Sequence, residues 1–388
     1  MSRILKVLIV LMMIVGIAAP AVMAEDRLSL SGSMQVRGFY LDDDDITGST
    51  SDDGRWNDQR LRTEAKLSVA EGVSVNFRFD VTESQENSSD ATAWGATGQN
   101  TQRRADIQFD KAYIQLEKGE YTMTAGQQYT GYGTGMIADH VGTGFTVTRG
   151  PLTLAHYKFQ EGAGSGDTSL TTAKYSFKND AMTADVFAGY EPMANSDAEQ
   201  MGFGVALSTN LDAVALKGEL NVFSGEDAAG GDQEGMELYL DASAGVSENV
   251  VLGGMFLYAA DSDDTQITRL GGTGFGGWSP QTYGYNTTDF SVDVDVFDPA
   301  GASAGVMALS VYTDVKVNED LGLMGSVMFL QAADDDKADG DMMSLNASAK
   351  YELMANTAVT ASLNVMDGDL GGADATVTQA ITGLYVNF

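Results

Sequence analysis

The sequence has no cysteine, only 5 prolines and only 2 histidines in 388 residues. Without cysteine, the chain has neither a disulfide framework nor a thiolate site. Basic residues are also scarce, because 22 lysines and arginines stand against 55 aspartates and glutamates, for a formal net charge of −33. A chain this acidic lacks the basic footprint that nucleic acid requires, so no nucleic-acid partner is expected.

Long apolar runs are missing after the N-terminus, where no segment approaches the ~20 apolar residues of a transmembrane helix. Residues 1–24 combine the basic residues Arg3 and Lys6, the apolar run "VLIVLMMIVGIAA" and the final Val22-Met23-Ala24. This pattern predicts a secretory signal peptide. The alternative is an N-terminal membrane anchor, for which the run is short. We therefore expect a signal peptide over residues 1–24 and one domain over residues 25–388. Its net charge is −35, which is −33 less the two basic residues of the leader.

Apolar and polar residues alternate through the rest of the chain. In "RLSLSGSMQVRGFY", for example, Leu28, Leu30 and Val36 lie on one face, and Gln35 and Arg37 lie on the other. Strict alternation predicts β-strands with one apolar and one wet face. Short links between alternating segments recur at eight places: 70–72, 118–120, 149–151, 178–180, 210–212, 247–249, 318–320 and 353–356. Longer polar stretches separate these hairpins, so short and long connections alternate along the chain.

Short turns at one end and long loops at the other predict an all-β fold, a transmembrane antiparallel β-barrel of about 18 strands. About 16 strands would remain if one hairpin were misread. In such a barrel the short turns should lie on the periplasmic side and the long loops on the extracellular side. A soluble β-sandwich of this length would normally divide into domains, but no linker is visible. A parallel β-helix would show a fixed short repeat, which is missing as well.

The chain ends in "TQAITGLYVNF", with Leu384, Val386 and Phe388 on one face of a last strand. A membrane barrel must pair its last strand with its first, because unpaired backbone groups are costly in lipid. This ending resembles that of the outer-membrane porins of Gram-negative bacteria, whose last strand characteristically ends in phenylalanine. The resemblance implies location in the cell outer membrane, in contact with its lipid and lipopolysaccharide. It also implies an assembly signal at these three residues, read by the barrel assembly machinery, and a homotrimer.

The resemblance predicts a water-filled channel for passive diffusion of ions and small hydrophilic solutes. Two alternatives stay open: a channel selective for a substrate such as a sugar or an anion, and a non-conducting structural or adhesive barrel. We expect neither enzymatic activity nor a cofactor. The G-x-G-x-x-G match at Gly272 is followed by Trp278-Ser279-Pro280 instead of a helix. No nucleophile motif lies near His156.

A group of basic residues lies on the non-apolar face of the first predicted strands. An arginine or lysine on the lipid face of a barrel costs ~2–4 kcal/mol at the membrane midplane, so these residues should line the lumen. This predicted basic ladder consists of Arg37, Arg60, Arg62, Lys66 and Arg78. It either faces an acidic loop across a constriction, or it is paired with lumenal acids such as Glu64 and Asp80.

The stretch "YTGYGTGMIADHVGTG", between strands ending near Gln128 and starting near Gly144, is the predicted third outer loop. Its glycines would allow it to pack tightly inside the barrel as a constriction loop. Asp139, its only acid, would then face the basic ladder, next to His140. An ordinary outer loop is the alternative.

Runs of acids occur on the long-loop side of the predicted barrel. They include Asp42, Asp43, Asp44, Asp45, Asp334, Asp335 and Asp336. We predict no metal site and interpret these acids as solvated loops. Weak binding of Ca²⁺ or Mg²⁺ that bridges to lipid phosphates is the alternative. These acids would form an acidic rim at the long-loop end of the barrel. Together with the basic ladder, whose charge is partly offset by lumenal acids, this rim predicts a weak cation preference that fades as salt rises.

Overall fold

A computed structural model describes residues 27–43, 54–83, 96–97, 105–160, 168–192, 198–227, 229–263, 265–267, 270, 304–338, 340–370 and 374–388. In these residues all regular secondary structure is β-strand. A search of the same residues finds no helix that is long and apolar enough to cross a membrane. The predicted signal peptide, Asp44 and Asp45 lie outside the described residues.

Eighteen long strands follow one another along the chain. They are β1 Leu28–Asp43, β2 Gly54–Ala70, β3 Val73–Glu83, β4 Ala105–Lys118, β5 Tyr121–Tyr132, β6 Ala138–Arg149, β7 Leu152–Gln160, β8 Thr168–Lys178, β9 Met182–Pro192, β10 Glu199–Leu211, β11 Val214–Glu226, β12 Asp232–Ser247, β13 Val250–Ala259, β14 Val306–Lys316, β15 Leu321–Ala332, β16 Gly340–Met354, β17 Thr357–Leu370 and β18 Asp374–Asn387. Two further strands have two residues each: Ala96–Thr97 pairs with β2, and Thr265–Gln266 pairs with β12.

Each long strand pairs antiparallel with the next, and β18 pairs with β1 to close a single barrel. The closing register runs from Ser33 opposite Asn387 to Asp43 opposite Val377. Closure removes the sheet edges, which would otherwise leave backbone N–H and C=O groups without partners. The prediction of about 18 strands is thus confirmed.

All eight predicted short links are tight connections at one end of the barrel, here named the short-turn end. Gly72, Gly119 and Gly150 in three of them have φ between 56° and 69°. Two-residue hairpin turns demand such positive φ values, which glycine adopts without a steric penalty. The other end carries the remaining connections and is the long-loop end.

The two faces of the barrel wall differ as the alternation predicts. Leu30, Val186 and Val311 point outward, and between 53% and 60% of each residue is exposed. Their neighbours in sequence point into the lumen, where most side chains are buried. An apolar outer surface around a lumen that carries polar and charged groups is the arrangement that suits a barrel in lipid.

Candidate functional site: the barrel lumen

The lumenal face of β1–β4 carries the predicted basic ladder, and we name this face the ladder wall. Arg37, Arg60, Arg62, Lys66 and Arg78 all have lumenal parity in the strand registers. The Arg37 guanidinium forms an ion pair with Asp58, and the side chains of both are at least 95% buried. Arg60 Nη2 lies 3.4 Å from Gln35 Oε1. Lys66 is exposed.

The middle of the ladder wall contains a network of alternating charges. Arg62 donates two hydrogen bonds to Asp80, at 2.8 and 2.6 Å, and lies 3.8 Å from Asp110. Arg78 Nε donates to the same Asp110 at 2.6 Å. Lys111 adds a 3.8 Å contact with Glu64. Bidentate arginine–carboxylate pairs of this kind are strong and geometrically specific, so much of the ladder's positive charge is offset locally.

Asp110 reaches this network because of a β-bulge. The register of β3 with β4 shifts between Arg78 and Phe79, which leaves Asp110 between the paired residues Phe109 and Lys111. A bulge lets consecutive residues point to the same face. Gln127 Nε2 donates to the Phe109 carbonyl at 2.6 Å and thereby satisfies a backbone group beside the bulge.

A second group of charges lies on the lumenal face of β9–β12, which we name the acidic wall. Glu191, Glu219, Glu237 and Asp241 are each between 1% and 7% exposed. Asn221 Nδ2 donates to both Glu219 and Glu237, at 3.0 and 3.2 Å. In the order of eighteen strands, β9–β12 stand nearly opposite β1–β4, so the acidic wall faces the ladder wall across the lumen.

Residues 133–137, which connect β5 to β6, reach across part of the lumen, and we name them the crossing hairpin. The Thr134 backbone N–H donates to the Glu219 carboxylate on β11, five strands farther round the barrel. Gly133 has φ +58°, and a Cβ at this position would collide with that carboxylate. Met136 and Ile137 are 1% and 2% exposed. The hairpin therefore folds tightly inward and narrows the lumen.

The predicted position of Asp139 and His140 in a long third loop was wrong. β5 continues to Tyr132 and β6 begins at Ala138, so both residues lie on a strand. Asp139 pairs with Gly131 on the outward face and accepts a hydrogen bond from the Tyr129 hydroxyl. His140 has lumenal parity and packs edge-on against Phe159, with ring centroids 4.0 Å apart. Asp139 therefore does not face the ladder wall.

The acidic loops contain no recognisable metal site in the part of the chain that is described. No group of three or more acids or histidines there could hold a metal ion. Asp334 Oδ1 instead accepts the Asp336 backbone N–H at 2.9 Å, within the connection between β15 and β16.

The remaining lumen wall is polar towards the short-turn end. Asn346, Asn364 and Gln379, on β16–β18, form a buried row of hydrogen-bonded amides. Nearer the turns, Lys350, Glu352, Asn356, Ala358, Thr360, Tyr385 and Asn387 line a cavity of about 390 Å³. The lumen wall beside the ladder wall is therefore polar as far as the short-turn end.

The C-terminal residues close the barrel at the same end. Phe388 exchanges two backbone hydrogen bonds with Gly32, at 3.0 and 2.8 Å. A Cβ on Gly32 would come within 2.7 Å of the Phe388 ring, so the ring lies directly over the glycine. Leu384 and Val386 pair with Val36 and Met34 on the outward face.

The sequence patterns did not predict the lumenal contacts of three residues: Asp58, Asp110 and Glu219. Asp58 has the parity of Arg60 and Arg62, so alternation alone could have placed it in the lumen. The adjacent charges Asp110-Lys111 interrupt an otherwise alternating segment, which is the signal of a bulge. Glu219 lies on the same face of its strand as Lys217 and Asn221, but no sequence pattern connects it to a hairpin 85 residues away.

Comparison with known proteins gives a family match over nearly the whole chain. A family model described as Gram-negative porin matches residues 8–371. None of the curated proteins compared matches the chain. Among solved structures, OccK9 (OpdG) of Pseudomonas aeruginosa is similar with a TM-score of 0.60 and 13% identity, over 93% of this chain and 99% of that chain. OpdL of Pseudomonas aeruginosa is similar with a TM-score of 0.59 and 12% identity, over 93% of this chain and 99% of that chain. OpdK of Pseudomonas aeruginosa, solved with vanillate, is similar with a TM-score of 0.57 and 12% identity, over 93% of this chain and 99% of that chain.

Proposed function

The chain belongs to the Gram-negative porin family, and we propose that its barrel passes ions and small hydrophilic solutes by passive diffusion, with a weak preference for cations. The family and the fold support the coarser part of this statement, an outer-membrane channel for small solutes. The passive mechanism and the cation preference are our inference from the lumen.

The balance of lumenal charge supports the proposal most strongly. The three ladder arginines Arg37, Arg62 and Arg78 each form an ion pair with a carboxylate on a neighbouring strand. Among the described residues, Glu219 on the acidic wall opposite forms no ion pair, and its hydrogen-bond donors are the Thr134 backbone and the Asn221 amide. A passing cation therefore encounters an acidic wall whose Glu219 has neutral hydrogen-bond donors, and a passing anion encounters arginines that already have carboxylate partners.

The crossing hairpin is the proposed constriction. It brings a short piece of backbone to the acidic wall, so solutes pass between the hairpin and the ladder wall. Arg62 is the most accessible of the three ion-paired ladder arginines, with its side chain 30% exposed, against 17% for Arg78 and 1% for Arg37. Arg62, with Asp80 and Asp110, is thus the ion-paired ladder group that solutes would approach most closely.

Conductance of purified protein in planar bilayers tests the proposal. We expect stepwise openings whose current rises linearly with solute concentration and does not saturate. A silent bilayer, with correctly folded protein confirmed by its heat-modifiable migration, would favour a structural or adhesive barrel instead.

A carboxylate-selective channel is the second candidate. OpdK, which shares this fold, was solved with vanillate, an aromatic carboxylate. The partly exposed Arg62 is a group that a carboxylate could approach. Saturable block of the KCl current by vanillate would favour this candidate, whereas no block up to millimolar vanillate would favour passive diffusion.

Assembly follows from the family resemblance as a proposal of its own. We infer a homotrimer in contact with lipopolysaccharide, inserted by the barrel assembly machinery through Leu384, Val386 and Phe388. Cleavage after Ala24 would precede this step. Chemical crosslinking of outer membranes and N-terminal sequencing of the mature protein test the two parts separately.

A further inference from the structure

A second segment lies inside the rim of the barrel, on the same side as the crossing hairpin. We name it the strap, and its described residues are Thr265, Gln266, Ile267 and Leu270. Thr265–Gln266 runs parallel to Gln233 and Glu234 at the top of β12. Ile267 N donates to the Glu234 carbonyl, and Leu270 N donates to the Ile137 carbonyl of the crossing hairpin, both at 2.8 Å. The strap thus connects the rim to the hairpin.

The wall beneath the strap contains glycines where its side chains dock. Gly189 and Gly202, paired across β9 and β10, both point into the lumen. A Cβ at Gly189 would lie 2.5 Å from Leu270 Cδ1, and one at Gly202 would lie 2.9 Å from the same methyl. Gly235 on β12 approaches Ile267 closely as well. Glycine inside a strand often marks the close approach of another chain segment, and here the glycines form a groove for the strap.

The side chains around this groove are apolar. Leu170, Phe187 and Phe223 have lumenal parity, yet each is 5% exposed or less. They form one hydrophobic cluster with Ile267 and Leu270, which are 3% and 2% exposed. An apolar wall is unfavourable against water, so the strap stabilises this part of the barrel by covering it.

An ionic contact at the long-loop end holds the base of the strap. Lys337 Nζ lies 3.0 Å from Asp261 Oδ2, 3.0 Å from Asp263 Oδ1 and 2.7 Å from the Ser262 carbonyl. The hydrogen bond to Asp261 raises the pKa of Lys337 above its ordinary value. The Asp263 side chain is 96% exposed, so salt screens its part of this contact. The hold on the base of the strap should therefore weaken as salt rises.

We propose that the strap is a gate: with Leu270 in the glycine groove it closes part of the lumen beside the crossing hairpin, and when Leu270 leaves the groove that part opens. This inference rests on the proposed channel function. The groove, the apolar lining and the hydrogen bond to Ile137 define the closed position. The Lys337 contact at the base biases the chain towards it.

Thiol labelling of Leu270→Cys tests docking directly, because the chain has no other cysteine. The reagent is a membrane-impermeant charged thiosulfonate, applied to the full-length protein in lipid vesicles. Ala229→Cys, on the exposed turn between β11 and β12, gives the rate for an open site. We expect Leu270→Cys to react roughly tenfold more slowly, because it reacts only when the strap leaves the groove.

Two further variants then move the gate. Gly189→Val fills the groove and should raise both the labelling rate of Leu270→Cys and the conductance of the channel roughly severalfold. Gly325→Val is the matched control, since a Cβ there meets nothing closer than 3.5 Å. Lys337→Met, which lies outside the barrel wall, should give a smaller increase in both quantities, and added salt should mimic it.

The outcomes separate the gate from the channel. Equal labelling of Leu270→Cys and Ala229→Cys would show that the strap is not docked, which overturns the gate. Faster labelling in Gly189→Val or Lys337→Met without any change in conductance would show a mobile strap that gates nothing. A wild-type protein that is silent in bilayers would instead refute the channel function, while the labelling would still report whether the strap docks.

Discussion

At the scale of single residues, the lumen shows how charge is held inside a barrel. Arg37 and Asp58 are almost completely buried as a pair, whereas Arg62 remains partly accessible within its network. Burying one unpaired charge is costly, and pairing it recovers most of that cost. Of these two ladder residues, Arg37 is therefore buried and structural, whereas Arg62 is more exposed and solutes can approach it.

The buried pair gives a prediction about stability. Asp58→Asn removes the carboxylate that pairs with the buried Arg37 guanidinium, so the free energy of unfolding should fall by about 3–5 kcal/mol. Urea unfolding of the protein in lipid vesicles measures this change.

Glu120→Gln is the control for Asp58→Asn. Its partner Arg149 lies 3.1 Å away, but the two side chains are 61% and 74% exposed. Breaking such a surface pair should cost less than about 1 kcal/mol. Equal losses for the two variants would contradict a structural role for the Arg37–Asp58 pair.

At the scale of strands and turns, alternation predicted most of the fold and the lumenal position of the ladder. It failed between Tyr129 and Gly144, because the glycines at 131, 133, 135, 142 and 144 resemble a flexible loop. Only residues 133–137 leave the strands there. The cross-lumen contact of Thr134 with Glu219, and the bulge at Asp110, depend on barrel closure and local register. Neither is a property of a contiguous sequence segment.

The crossing hairpin gives a prediction about conductance. Gly133→Ala places a Cβ against the Glu219 carboxylate, so the Thr134–Glu219 hydrogen bond should break and the hairpin should move away from the acidic wall. Single-channel conductance in planar bilayers should then differ measurably from that of the wild type.

Gly119→Ala is the matched control for the hairpin. Gly119 has φ +60°, similar to Gly133, but a Cβ there meets nothing within 4 Å. Both substitutions should carry the same backbone strain of about 1–2 kcal/mol. Only the hairpin variant should alter conductance. A changed conductance in Gly119→Ala would mean that strain, not the lost contact, is responsible.

The last strand gives a prediction about assembly. Deleting Phe388 removes two backbone hydrogen bonds to Gly32 and the ring that covers this glycine. At low expression we expect less heat-modifiable protein in the outer-membrane fraction than for the full chain. Phe388→Tyr keeps the backbone contacts and the ring and should assemble nearly normally. Normal assembly of the deletion would refute the proposed signal.

At the scale of the whole molecule, closure of eighteen strands sets both the pore and the topology. The barrel has apolar residues outside, ion pairs, amides and two apolar clusters inside, and acidic connections concentrated at the long-loop end. The two ends therefore differ in length of connection and in charge. In an outer-membrane barrel the short turns face the periplasm.

Single-cysteine labelling tests this orientation. Ala229→Cys lies on an exposed connection at the long-loop end, and Glu319→Cys lies on an exposed short turn. An impermeant maleimide should label Ala229→Cys on intact cells and Glu319→Cys only after the outer membrane is permeabilised. The reverse pattern would invert the topology.

A change in the ladder wall should alter the ion selectivity of the channel. Arg62→Gln removes the partner of Asp80 and should strengthen cation preference, because a carboxylate then faces the passage. Arg149→Gln, on the outward face near the short-turn end, should leave selectivity unchanged. Equal shifts for the two variants would place Arg62 outside the conducting path.

The most direct test of a weakly cation-selective diffusion channel is the reversal potential of the wild-type protein across a KCl gradient. The Glu219 carboxylate, whose hydrogen-bond donors are neutral, and the acidic rim predict a modest preference for K⁺ at low salt. It should fade at high salt, since the Debye length falls from ~8 Å at 0.15 M to ~3 Å at 1 M. A preference for Cl⁻ at low salt would contradict the proposal and would mean that the ladder wall, not the acidic wall, controls selectivity.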